Sequence, residues 1–200
     1  MKKEISKDHL LVVWSHFKSG DKEAFAILYN LHVDALYSYG TKLCKDEDAV
    51  KDSLQELFLE LFLNREKIKI SPENLRYYLL LALKRNLIKK NESGRKFRHS
   101  FNESIDFEPE YSIESQIVEQ EKDTEINQKV MDALRRLPAK QKEAVYLRFN
   151  ESLNYDEIAG ILNIDVESVR KQVCRALKTI REIVGKQPDI FLFALFLKRK

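Results

Sequence analysis

A chain of 200 residues, 44% of them hydrophobic, carries enough apolar material for one domain or two small ones, which excludes a wholly disordered polypeptide. Only five glycines and four prolines exclude a turn-rich β architecture and point to helices. With 35 basic and 32 acidic side chains the net charge is just +3, so the global balance says little about partners and the distribution along the chain says more.

The N-terminal segment MKKEISKDHLLVVWSHFKSGD has no long apolar core and no small-residue cleavage site, so it does not read as a signal peptide. A region of amphipathic helices follows over 9–92. Gly20-Asp21 opens a helix carrying Ala24, Phe25, Leu28, Tyr29 and Leu31, and Gly40 predicts its end or a bend. Asp46 is placed to cap the next helix, which contains Ala49, Val50, Leu54, Leu57, Phe58, Leu61 and Phe62. REKIKISPEN reads as a loop with Pro72 as a helix-start signal, before the apolar-to-basic helix LRYYLLLALKRNLIKK.

From the end of that helix into a linker over 93–125 the charge changes sign. Lys84, Arg85, Lys89, Lys90, Arg95, Lys96 and Arg98 form a basic run, and Glu103, Asp106, Glu108, Glu110, Glu114, Glu119 and Glu121 form an acidic one. Its few apolar residues cannot build a core, so a flexible acidic connector is expected. Residues 126–184 are helical again, and 185–200 is an apolar-basic tail. That tail is too short to span a bilayer. Three roles stay open to it: packing on the second domain, lying on a membrane surface, or engaging a partner. Cys44 and Cys174 have no CxxC partner and no neighbouring His cluster, so buried or incidental thiols in a reduced, cytoplasmic setting are expected, with no metal.

The stretch NYDEIAGILNIDVESVRKQVCRALKTIR is the most informative. Asn154 and Glu157 have capping-box spacing, Asn163-Ile164-Asp165 forms a turn, and Asp165 is a good N-cap for a second helix. Val169, Val173, Ala176, Leu177 and Ile180 fall on one face of that helix. Its other face carries Ser168, Arg170, Lys171, Gln172, Arg175 and Lys178, donors suited to phosphates and guanine edges. A helix-turn-helix that places its second helix in the DNA major groove fits this layout, and so does an ordinary helical hairpin with a solvated basic face.

In order and spacing these pieces resemble the bacterial RNA polymerase sigma factors of the small, two-domain extracytoplasmic-function group. The resemblance rests on GDKEAFAILYNLHVDALYSYG, DEDAVKDSLQELFLELF and LRYYLLLALKRNLIKK in the first block, and on LRRLPAKQKEAVYLRF with the helix-turn-helix in the second. It implies an all-α protein of two helical domains: a region 2-like domain over 9–92 for core polymerase binding and −10 recognition and melting, and a region 4-like domain over 126–184 for −35 recognition. Asp52, Gln55, Glu56 and Phe58 stand at the family's core-binding positions, and Phe62 stands near its frequent Trp. Tyr77, Tyr78, Arg85, Asn86, Lys89 and Lys90 match the −10-reading helix, although Tyr77, Tyr78 and Phe97 also suit core aromatics. Gln172 replaces a frequent Arg, and Cys174 a frequent His or Ser.

The implied partners are core RNA polymerase, promoter DNA and, as the family often uses one, an anti-sigma factor. No catalytic motif such as GxxxxGK, HExxH or GxSxG is present, so neither an enzyme, a cofactor nor a small-molecule substrate is expected. Two rivals explain less. An autonomous helix-turn-helix regulator leaves the Asp52/Gln55/Glu56 helix unexplained, and an RNA-binding or adaptor module uses only the basic stretch at 84–98. The acidic run repels DNA but suits a basic polymerase channel. Exchange of 102–123 for an equally long Gly/Ser segment is therefore expected to reduce initiation while promoter binding persists. Full run-off activity of the exchanged protein would leave the segment a spacer.

Overall fold

Helix starts are fixed by side chains that accept from otherwise unpaired backbone N–H groups. Ser6 accepts from His9 N, Asp21 from Glu23 N, Asp46 from Asp48 N and Ala49 N, and Asn154 from Glu157 N. A computed structural model describes residues 6–94, 107 and 121–184, and for 91–94, 121–128 and 184 it describes the backbone alone. The helices are α1 (Lys7–Lys18), α2 (Lys22–Leu43), α3 (Glu47–Leu63), α4 (Leu75–Gly94), α5 (Glu121–Arg136), α6 (Ala139–Phe149), α7 (Tyr155–Leu162) and α8 (Val166–Val184). A short 3-10 turn, Pro72–Asn74, leads into α4, with its proline at the start where a missing N–H costs nothing. Among the described residues there is no strand, and no helix is long and apolar enough to cross a membrane.

The chain divides into two compact units, Met1–Glu103 and Ser104–Lys200. In the first, α2 packs against α1, α3 and α4. Its core includes Phe17, Leu28, Leu36, Tyr39, Val50, Leu57, Phe58, Leu61, Leu79 and Leu83. An aromatic seam runs through it: Trp14 to Phe17 at 5.2 Å, Phe25 to Phe62 at 5.1 Å and Tyr29 to Phe58 at 4.6 Å between ring centroids. Such tilted pairs add to plain burial. Lys18 closes the far end. Its ammonium donates to the carbonyls of Arg65, Glu66 (3.1 Å) and Ile68 (2.8 Å), tying the end of α1 to the turn after α3.

Gly40 does not end α2, one of the two outcomes its residue type suggested. It lies buried inside the helix, and a Cβ there would sit 2.6 Å from Val50 Cγ1. Its role is close approach of α3, not backbone freedom.

In the second unit α8 packs against α5, α6 and α7. Val130, Ala133, Leu134, Leu137, Val145, Ala176 and Ile180 form one cluster, and Ile158 and Val169 extend the buried side towards the α7–α8 turn. Phe107 belongs to the stretch expected to be a connector. It is only 1% exposed, with its ring 5.4 Å from Tyr146 of α6, because one large ring gains more from burial than its polar neighbours can. Arg95, Lys96, Phe97, Arg98, the acidic run apart from Glu121 and the 185–200 tail lie outside the described residues.

Gly40→Ala is expected to destabilise the first unit by about 1–3 kcal/mol, because the stiff Val50 side chain cannot yield to the added methyl. Hydrogen exchange on the full chain checks this: protection of α2 and α3 falls while that of α8 holds.

Candidate nucleic-acid and protein interfaces

The side of α3 turned from the core holds Asp52, Gln55 and Glu56, all exposed. They share one face because offsets of three and four residues return to the same side of a helix. Leu59 and Leu63 continue the face and are 58% and 66% exposed. The helix has more leucines than its core face accommodates, and the surplus forms an acidic-polar stripe ending in two bare apolar side chains. The sequence reading missed both leucines; the available signal was their seven- and eleven-residue offsets from Asp52.

Phe58 requires a correction. It is 3% exposed and packed against Tyr29 and Phe25, so in this conformation it supports the stripe from beneath and is not available as a contact. Phe62 is half-buried, packed on Phe25 and covered by the Arg65 guanidinium at 4.9 Å.

Along α4, Tyr78, Arg85 and Lys89 follow one row at helical spacing, with the exposed Arg85 and Lys89 above the half-buried Tyr78. Tyr77 lies one residue round, also half-buried, so neither tyrosine belongs to the fully closed core. Asn86 and Lys90 fall on a different row. Lys90 Nζ meets Glu56 Oε1 at 3.0 Å, which links the candidate −10 helix to the candidate core-binding stripe. Both partners are partly exposed, so the pair contributes at most about 1 kcal/mol and either can be given up to an external partner.

The helix-turn-helix is built as its side chains dictate. Asn154 and Glu157 make both halves of the capping box, at 2.9 Å and 2.8 Å. Asn163 adopts the left-handed conformation, φ 52°, which ends α7 and turns the chain. Asp165 then accepts from Ser168 N at 2.7 Å and from Ser168 Oγ at 2.6 Å. The Ser168 hydroxyl proton is thus committed to the cap, which leaves Ser168 a structural residue before it is a phosphate donor. These two hydrogen bonds, the hydroxyl first and the backbone N–H second, hold the Asp165 carboxyl below the usual carboxylate range.

Val169, Val173, Ala176 and Ile180 turn inward, leaving Arg170, Lys171, Arg175 and Lys178 exposed and Gln172 at the margin. Lys171 pairs with Glu167 at 3.7 Å and Lys178 with Glu182 at 3.9 Å, both weak i,i+4 contacts that a phosphate can displace. Cys174 is exposed on the same side, so of the two readings, buried or incidental, the buried one does not hold for it.

The family described as Sigma-70, region 4 matches residues 127–180, which take in α6, α7, the turn and most of α5 and α8. Sigma factor SigV of Bacillus subtilis is 27% identical over 156 residues, covering 78% of this chain and 88% of that protein. The ECF sigma-E factor of Haemophilus influenzae is 28% identical over 171 residues, covering 82% and 88%. Over most of its length the chain is thus similar to extracytoplasmic-function sigma factors. The fold agrees: RpoE of Bartonella quintana, solved with the anti-sigma factor NepR, superposes with a TM-score of 0.54 at 18% identity over 80% of this chain and 96% of that one. The described residues of both units are helical or in turns or loops, on a fold shared with that structure.

Asp165 carries a pH prediction. A carboxylate with a lowered folded pKa contributes stability that is present above its unfolded value, about 3.9, and is lost as pH falls through the folded one. Asp165→Asn keeps a capping oxygen but loses the charge. The wild type is expected to hold α8 more firmly at neutral pH, with the difference closing below about pH 4. Hydrogen exchange of α8 across a pH series measures it, and a pH-independent difference would show that charge is irrelevant to the cap.

Proposed function

We propose that this chain is an ECF sigma factor, a dissociable subunit of bacterial RNA polymerase that binds the core enzyme, directs it to specific promoters and helps open the DNA. The observation that carries the reading is α8: a capped recognition helix whose inner side is sealed by Val169, Val173 and Ala176 and whose outer side presents Arg170, Lys171 and Arg175. Guanidinium groups at such positions suit guanine edges in the major groove, and lysines suit phosphates. An autonomous regulator needs only that helix. Relatives aligned over more than three quarters of the chain are sigma factors, which favours the polymerase reading over that alternative.

Residues 9–92 then form the core-binding and −10 domain, and 126–184 the −35 domain. In the first, the stripe of Asp52, Gln55 and Glu56 docks on the polymerase, with Leu59 and Leu63 as its apolar end. Tyr77, Tyr78, Arg85 and Lys89 face the melted strand, where rings stack on unpaired bases and cations follow the backbone. Asn86 and Lys90 stand beside them. The chain itself is not an enzyme and needs no cofactor, since nucleotide chemistry belongs to the polymerase, and it works in the cytoplasm. An anti-sigma factor completes the partners, as one does for the Bartonella quintana RpoE solved with NepR.

Gln55→Ala with Glu56→Ala is expected to weaken core polymerase binding about ten-fold or more, equivalent to about 1.4 kcal/mol, with helical content unchanged. Leu59→Ser with Leu63→Ser is expected to act in the same direction. A titration of full-length protein against core enzyme reads both. Unchanged affinity in both variants would remove α3 from the interface.

A further inference from the structure

Three helices of the second unit each send one residue to a single point. Tyr155 opens α7. Arg148, in the last turn of α6, places its guanidinium carbon 5.0 Å from the Tyr155 ring centroid, and Arg170 of α8 places its own at 5.1 Å. Arg148 is tethered, because its Nη1 donates to the Leu153 carbonyl at 2.8 Å, in the turn just before α7. Arg170 is exposed, and among the described residues the ring is the contact recorded for it.

A guanidinium is flat and delocalised. Stacked by its face on an aromatic ring, it keeps the N–H groups of its edge free in a rigid fork. That fork is what the O6 and N7 acceptors of guanine require for two parallel hydrogen bonds. An unsupported arginine on a helix surface instead samples many rotamers and gives up that freedom when it binds. The ring therefore lowers the ordering cost of the one arginine closest to the start of the recognition helix. Arg148, anchored to the Leu153 carbonyl, gives the ring a second cationic neighbour and limits its movement.

We propose that Tyr155 is a positioning residue for promoter reading: its ring presets the Arg170 guanidinium for the edge of a guanine in the upstream element, and thereby sets how sharply that one base pair is read. The proposal rests on the assignment of α8 as the DNA-facing helix. Tyr155 acts through Arg170, not on the DNA, and it is the electron-rich face of the ring, not its hydroxyl, that acts.

The test uses holoenzyme reconstituted from full-length protein and core polymerase, with a duplex pool randomised across the upstream promoter region as probe. Bound sequences are read out position by position. Arg170→Ala is expected to flatten the base preference at one position. Tyr155→Phe keeps the ring and is expected to match the wild type. Pentafluorophenylalanine at 155 keeps the shape but reverses the potential of the ring face, so folding is preserved while the attraction is lost. It is expected to reduce discrimination about two- to five-fold at the Arg170 position alone, with no further loss in an Arg170→Ala background. Hydrogen exchange of α7 and α8 confirms that the fluorinated protein is folded. If that variant reads the position as sharply as Tyr155→Phe, or loses discrimination evenly across all positions, the positioning role is overturned. If Arg170→Ala itself changes no base preference, Arg170 reads no base and the positioning role falls with it; if Arg175→Ala is silent as well, the DNA-reading assignment of α8 fails.

Discussion

The close approach of α2 and α3 at Gly40 and Val50 is the constraint on which the first unit depends. Because no Cβ stands between them, α3 settles deep enough to bury Leu54, Leu57 and Leu61 and to bring Phe58 against Phe25 and Tyr29 of α2. That fixes the rotation of α3 about its axis. Once Phe58 and Leu61 point inward, helical spacing leaves Asp52, Gln55, Glu56, Leu59 and Leu63 no choice but to point outward. The face offered to a partner is thus the complement of a packing decision made on the other side of the helix.

In the second unit α8 serves two purposes at once. Its inner row closes the core against α5, α6 and α7, so its outer row is carried on a rigid platform. Side-chain hydrogen bonds hold the starts of both helices of the motif, α7 through the capping box of Asn154 and Glu157 and α8 through the Asp165–Ser168 pair. A reading helix needs such support, because a displacement of about 1 Å separates a bidentate base contact from none. Ser168 shows how the two purposes compete: the hydroxyl that a surface view offers to DNA is already spent on the cap.

Local chemistry was legible in the residues wherever it depends on neighbours along the chain. The caps at Asp21, Asp46 and Asn154, the proline start at Pro72, the turn at Asn163 and the inward row of α8 all follow from short-range hydrogen bonding and helical period. The motif order was sufficient to point to the family. What escaped the sequence was decided at long range. Gly40 looks like a helix terminator until α3 is packed on it. Phe58 stands at a core-binding position of the family it resembles, yet Tyr29 covers it, and Phe107 sat in a stretch too polar to suggest burial. The Glu56–Lys90 pair and the meeting of Arg148, Tyr155 and Arg170 join residues on different helices, and no spacing rule reveals either.

The turn between α7 and α8 is made without glycine. Asn163 holds φ 52°, and Ser152, in the turn before α7, holds φ 59°. A side chain in that conformation costs the native state strain of about 1 kcal/mol or somewhat more, less for Asn, whose short amide tolerates it. The compensation lies in the denatured ensemble. A chain with a Cβ at both corners wanders through fewer backbone states than one with two glycines, so less disorder has to be surrendered when the corners form. The angle at which α8 leaves α7 is therefore narrowed before any core contact is made, and α8 inherits part of its direction from the unfolded polypeptide.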